Sequence, residues 1–340
     1  MINLRNDYCA IAHKEVLDEL IRNSKNTFEG YGLDEKTKEA EKIILDLVCS
    51  NDSKVYFLSG GTITNKVVIG HILKPYEAVI CADNGHINVH ETGAIESDGH
   101  KVLSTKNKNG KILPSEIERV VVSHCDEHMV KPKIVYISNT TEVGTVYTKK
   151  ELVDIYEMCK KYGLYLYLDG ARLSSALNSN YCDITFSDLG KYTDAFYIGG
   201  TKNGLLFGEA LVVNNKDLQN EIRYSIKHFG GMMAKGFVNG IQFNALFKND
   251  LFNRIGKSEN ELAIYLVNKL KDLNIKFLCD CESNQVFPIF KNDIVEKLQK
   301  EIEFEIWNRG CEETVIRFVT HFSLSKEDID SAIEIIKKCL

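Results

Sequence analysis

From about residue 35 the chain alternates between two hydrophobic periods. "EKTKEAEKIILDLV" (35–48) repeats its apolar positions at helical spacing and leads to the short apolar run "KVYFLS" (54–59). A second helical pattern, "TNKVVIGHIL" (64–73), precedes the strand pattern "AVICAD" (78–83). Further along come "KIVYIS" (133–138), the amphipathic "TKKELVDIYEMCKKYG" (148–163), "LYLYLD" (164–169) and "AFYIGG" (195–200). Short apolar strands separated by helices predict an α/β fold: a mostly parallel sheet with helices on both faces. Near residues 245–260 the pattern changes. "SENELAIYLVNKLKDLN" (258–274) reads as a helix, and "NQVFPIF" (284–290) and "TVIRFVTHF" (314–322) read as strands. "SKEDIDSAIEIIKKC" (325–339) reads as a closing helix, capped by Ser325 with Asp328. The expected organisation is a large domain over 1–245, with an N-terminal arm over 1–35, and a small α+β domain over 246–340.

Composition narrows the function classes. With 340 residues, 44% hydrophobic and 26% charged, the chain can bury a large core. A formal net charge of −6 argues against nucleic acid or an anionic membrane as the main partner. The opening "MINLRNDYCAIAH" has no apolar core of the kind a secretory signal needs, and no apolar run approaches a bilayer-spanning length. The ten cysteines have no C-x-x-C spacing, and the closest pair, Cys279 and Cys281, suits neither a disulfide nor a zinc knuckle. Free thiols in a reducing cytoplasm are therefore expected. The stretch "HCDEH" puts His124 and His128 four residues apart, a spacing that binds metal on a helix face, but a third ligand is missing nearby. No metal is expected.

Ligands of open α/β sheets sit at the C-terminal ends of strands, so the residues just past each strand are the informative ones. After "KVYFLS" come Gly60, Gly61 and Thr62, opening a helix. Glycines there let backbone N–H groups approach an anion, helped by the helix N-terminus. A plain tight turn would look the same. After "LYLYL" come Asp169 and Arg172, in "DGAR"; a carboxylate at the end of a buried strand requires a cationic partner, and an Asp–Arg pair that only locks a loop is the simpler account. After "AFYI" come Gly199, Gly200, Thr201 and Lys202. Pyridoxal 5′-phosphate uses all three features. Its phosphate needs the cup, its aldehyde the lysine, and its ring nitrogen a buried carboxylate that keeps it protonated.

At this point a family resemblance can be stated. Through "LRNDY", "GYGLDE", "SGGTITN", "HINVHETGA", "ISNTTEVGT", "LDGARL", "GGTKNG" and "IRFVT", the chain resembles the threonine aldolase branch of the β-eliminating lyases nearly end to end. The resemblance implies the PLP-dependent transferase fold type I, and an aldehyde lyase that cleaves L-threonine or allo-threonine to glycine and an aldehyde. β-Elimination or transamination of another amino acid is the alternative. It implies Lys202 as the lysine that bonds the cofactor, Asp169 as the partner of its ring nitrogen, and Gly60, Gly61, Thr62 and Thr201 as further cofactor contacts. Arg172 would reach the cofactor's phenolic oxygen or the substrate carboxylate. His86 would stack on the ring and is the candidate base for the β-hydroxyl proton. Asn6 and Arg317 would hold the substrate carboxylate, and Tyr31 would stand near a neighbouring subunit's site in a homodimer or homotetramer. Two departures stand out. Many members carry a histidine where this chain has Thr141, after Asn139 and Thr140, and threonine carries no proton near neutral pH. An arginine often found in the region of "KHFGGMMAKG" is replaced by Ala234, beside Lys235.

Overall fold

The computed structural model describes residues 1–340. Seven strands form the central sheet: β1 (Lys54–Leu58), β2 (Glu77–Ala82), β3 (Lys101–Thr105), β4 (Lys131–Ser138), β5 (Tyr165–Asp169), β6 (Ala195–Gly199) and β7 (Glu209–Val213). Their order is β1-β7-β6-β5-β4-β2-β3, and β7 alone runs antiparallel to its neighbours. Residues of β2, β6 and β7 are buried throughout, as a sheet covered on both faces requires.

Strand alternation divides the sheet between two cores. Val135, Ile137, Leu166, Leu168, Phe196 and Ile198 pack on one face beneath α1 (Glu35–Val48) and α3 (Lys149–Tyr162). Tyr136, Tyr167 and Tyr197 point the other way, against Val67, Val68 and Ile69 of α2 (Gly61–Ile72). Thr148 and Glu151 cap α3 reciprocally, and Gly163 ends it in a left-handed turn.

The long helix α4 (Leu251–Asp272) begins seven residues before the helix expected from 258. Its Phe252 and Ile255 belong to the large core, and its Leu262, Leu266 and Leu270 to a second core that includes Leu4 and the C-terminal segment. There β8 (Gln285–Val286), β9 (Pro288–Lys291), β10 (Glu305–Arg309) and β11 (Glu313–Val319) form an antiparallel sheet covered by α5 (Lys326–Cys339). The single strand expected over 284–290 is two, because Pro288 has no N–H to give and the ladder breaks beside it. The strand expected over 314–322 stops at Val319; the Thr320 hydroxyl instead donates to the Glu259 carbonyl at 2.7 Å. Ser325 and Asp328 form the full capping box on α5.

No helix is long and apolar enough to cross a membrane. All ten cysteines are free thiols. The pair in "HCDEH" does not share a helix face: the helix over Pro114–Ser123 has ended, His124 caps it with Nδ1 2.8 Å from the Val120 carbonyl oxygen, and His128 follows in the loop. No three His, Cys, Asp or Glu side chains gather to hold a metal ion.

Candidate active site

The ends of β1, β2, β4, β5 and β6 open into one cavity with two lobes. The inner lobe, about 380 Å³, is lined by Gly60, Gly61, Thr62, Asp169, Thr201 and Lys202, among others. The outer lobe, about 580 Å³, reaches from Asp83 and Asn84 to Trp307 and Arg317 of the C-terminal sheet. His86, Arg172 and Lys202 line both.

Asp169 ends β5 and is buried, 4% exposed. Its expected partner, Arg172, turns elsewhere. Arg172 donates from Nε and Nη2 to the two oxygens of Asp7, at 2.6 and 3.1 Å, in a buried bidentate pair. Asp169 receives neutral donors instead. Tyr197 and Tyr136, from the flanking strands, donate to its two oxygens at 2.5 and 2.6 Å. Asn65 of α2 and the N–H of Ala171 add bonds at 3.3 and 3.0 Å. A fully oriented carboxylate without a cation of its own in the chain is suited to a cation on a ligand.

Lys202 reaches the same lobe from the loop after β6. It forms no ion pair, and its Nζ stands 5.9 Å from the centroid of the Tyr8 ring. Burial, and next the Arg172 guanidinium, hold its amine below the ordinary lysine value, against the opposing charges of Asp7, Asp169 and Glu142. A depressed pKa gives a larger share of neutral, nucleophilic amine. The backbone sets the spacing of acid and amine. A Cβ on Gly170 would lie 2.0 Å from the Tyr197 carbonyl oxygen, and one on Gly199 would lie 2.2 Å from that of Ala171. Only glycine permits this approach, which the Gly199 N–H to Gly170 carbonyl bond of 2.9 Å closes.

Across the lobe, α2 begins at Gly61 with no side chain capping it, and Gly60, Gly61 and Thr62 line the cavity at this helix start. That arrangement fits a phosphate. Below the lysine loop, Glu209 accepts the Gly200 N–H at 2.8 Å. Burial raises its carboxyl to about 7, although Thr201, Gly200 and Lys202 favour the charged form.

His86 starts a short helix at the rim, with Nδ1 2.8 Å from Glu91, which also accepts from Asn65 at 2.7 Å. Burial opposes its protonation, but the Glu91 bond and the charges of Glu142 and Asp169 prevail and raise its pKa. Arg317, from β11, lies over Trp307 at 5.6 Å, and its buried Nε has no partner. Burial and the nearby Arg172 lower its pKa, so an anion in front of it is the missing complement.

Two expected residues are not brought in. Asn6 is buried, with Oδ1 accepting the Tyr8 N–H at 3.2 Å, and lines neither lobe. Tyr31 is exposed and lies in a separate groove, its carbonyl accepting from Arg223 at 3.3 Å. Thr141 is also turned away, its hydroxyl 2.7 Å from that of Thr145. The next residue, Glu142, lines both lobes, and sequence reading passed over it. Also missed were Tyr136 and Tyr197, whose strand positions read only as core.

A β-eliminating lyase family model matches residues 3–293. The chain belongs to the β-eliminating lyase family. A low-specificity L-threonine aldolase of Pseudomonas aeruginosa is 31% identical over 272 residues, 79% of this chain and 78% of that one. The structure superposes on a Leishmania major threonine aldolase with a TM-score of 0.97 and 41% identity, covering 99% of both chains. An aspartate aminotransferase variant of Thermus thermophilus, 14% identical, shares the fold with a TM-score of 0.74 over 100% of this chain and 96% of that one. The fold is therefore that of the type I PLP-dependent enzymes, and pyridoxal 5′-phosphate is the cofactor of this β-eliminating lyase.

Proposed function

We propose that this β-eliminating lyase is a carbon–carbon lyase that cleaves β-hydroxy-α-amino acids, L-threonine and L-allo-threonine among them, to glycine and an aldehyde. The observation that carries the reading is the single cavity in which a cation-free carboxylate, Asp169, and an unpaired amine, Lys202, line one lobe while the orphaned Arg317 guanidinium faces the next. The printed names of the Pseudomonas and Leishmania relatives support the substrate class.

Gly60, Gly61, Thr62 and Thr201 would hold the phosphate side of the cofactor, Lys202 would supply the amine for its aldehyde, and His86 would cover its ring. When bound, pyridoxal phosphate supplies a protonated ring that draws electrons from the bonds at the substrate's Cα. Asp169 would keep that ring nitrogen protonated, and Tyr136 and Tyr197 fix the carboxylate's orientation. Arg317 binds the substrate carboxylate through its planar fork, which fixes the rotation about the amino acid's Cα. Arg172, with Nε and Nη2 engaged by Asp7, has its remaining amino group for the cofactor's phenolic oxygen or the same carboxylate. Asn6 supports that carboxylate side through the turn it makes with Tyr8.

We assign the chain to a homodimer or homotetramer in the cytoplasm, with Tyr31 presented to a neighbouring subunit. Its exposure and its distance from the chain's own cavity support the first point, and the ten unpaired thiols the second.

The test is direct. The purified protein with pyridoxal phosphate should absorb in the visible, and Lys202→Ala should bind cofactor without that band and lose activity. Acetaldehyde and glycine from threonine are the expected products. Pyruvate and ammonia from serine, in place of these, would instead identify an eliminating enzyme.

A further inference from the structure

For the Cα–Cβ bond to break, a base must take the proton of the β-hydroxyl, and it must stand where the lobe for the cofactor meets the lobe for the side chain. Six side chains line both lobes: Tyr8, His86, His90, Glu142, Arg172 and Lys202. Arg172 is a cation locked to Asp7, Lys202 serves the cofactor, and a phenol such as Tyr8 is a poor acceptor near neutrality. Three acceptors remain. His86 has its Nδ1 committed to Glu91, and that bond with the nearby carboxylates raises its pKa, which shifts it away from the acceptor role. His90 is exposed at the mouth, beside Trp307 at 6.1 Å.

Glu142 differs from both. It is only 9% exposed, and it is the one carboxylate shared by the two lobes. Its charge is among those acting on Lys202, Arg172, Arg317, His86 and His90, so it stands within reach of the basic groups of both lobes. The Ser138 hydroxyl donates to Oε1 at 3.3 Å, and Oε2 is free to accept. The loop that brings it there is the one whose Thr141 faces away.

We propose that Glu142 is the base that accepts the β-hydroxyl proton, an assignment that rests on the aldol-cleavage reading above. The β-oxygen gives its proton to a Glu142 oxygen and becomes the carbonyl oxygen of the leaving aldehyde. The electron pair of the broken Cα–Cβ bond stays with Cα, which takes the proton back from Glu142, directly or through a water, to complete glycine. Atoms and charge balance, and no other reactant is needed. Threonine at 141 is then no defect, because the proton carrier is its neighbour.

The experiment compares holoenzyme variants in cleavage of L-threonine and L-allo-threonine and in two measurements that need no β-hydroxyl: the absorbance of bound cofactor, and the dissociation constant for glycine from spectral titration. Glu142→Gln should lower kcat by about 10²–10⁴-fold. The same variant should keep the cofactor bound with its visible band, and the glycine constant should change far less than kcat, by about tenfold at most. Glu142→Asp should recover part of the rate, and added formate should rescue Glu142→Ala. The proposal is overturned if Glu142→Gln keeps wild-type kcat, or if glycine binding and cofactor fall in parallel with it, which would mark a structural role. It is equally overturned if His86→Gln or His90→Gln gives the selective loss instead. A wild-type protein that binds glycine but cleaves neither substrate overturns the aldolase reading, and Glu142's role with it; failure in the variants alone removes only the base.

Discussion

The inner and outer lobes are adjacent but differently built. In the inner lobe both carboxylates that line it alone are held: Asp169 by two tyrosines, Asn65 and a backbone N–H, and Glu209 by Gly200. Most of its residues follow the ends of parallel strands in the large sheet, and Glu209 begins the antiparallel β7. In the outer lobe Arg317 has a bare Nε, and its wall of Glu305, Ile306, Trp307 and Arg317 comes from β10 and β11 of the C-terminal sheet. The difference separates two tasks. A bound cofactor profits from groups already oriented, since orientation costs nothing at the moment of reaction. A substrate that comes and goes supplies the missing partner itself.

Substitutions should show this division. The largest effect is expected for Asp169→Ala, which removes the ring-nitrogen partner and should lower kcat by about a hundredfold or more. It also strands the Tyr136 and Tyr197 hydroxyls, so chemical denaturation should report a stability loss of about 1–3 kcal/mol for each. Wild-type activity in this variant would sink the assigned role. Arg317→Ala comes next. It should weaken substrate capture by about 1.5–3 kcal/mol, read as a rise in KM, while the cofactor's absorbance is kept. Loss of cofactor in that variant would mean that the two lobes are not separate. The smallest effect belongs to Glu209→Gln. The buried carboxyl is raised from 4.5 to about 7, so between those values the folded protein keeps a proton that the unfolded chain has lost. Wild-type stability should therefore fall as pH rises through this window and stay lower above it. Glutamine removes that slope, so Tm measured from pH 5 to 8 should decline less in the variant; parallel curves would show the carboxyl to be ionised throughout.

Much of this was legible in the sequence, for identifiable reasons. The strands β1, β2, β4, β5 and β6 are apolar runs ending in glycine, aspartate or serine-asparagine turns, and the residues that follow them line the two lobes. The antiparallel β7 carries no comparable signal, since "EALVV" is too short to distinguish a strand from a buried helical turn. Asp169 was visible as a strand-end carboxylate, but its tyrosine partners were not. An aromatic in a buried strand reads as packing, and only the register of β4 with β5, pairing Tyr136 with Tyr167, brings the hydroxyl of Tyr136 near Asp169. The Arg172 partner was likewise hidden, because Asp7 stands 165 positions away in the chain. Glu142 carries no signal of its own in the sequence, because which of two consecutive loop residues, Thr141 or Glu142, faces a cavity is decided by backbone torsions.

The meeting of Gly170 with Gly199 has a further implication. Because main chain rests on main chain there, the separation between the acid and the amine cannot be adjusted by swapping a rotamer or trimming a methyl group. Engineering this scaffold toward other amino acids should therefore leave that seam and Arg317 untouched and work on Glu305, Ile306 and Trp307 of β10, where diversity costs the catalytic pair nothing.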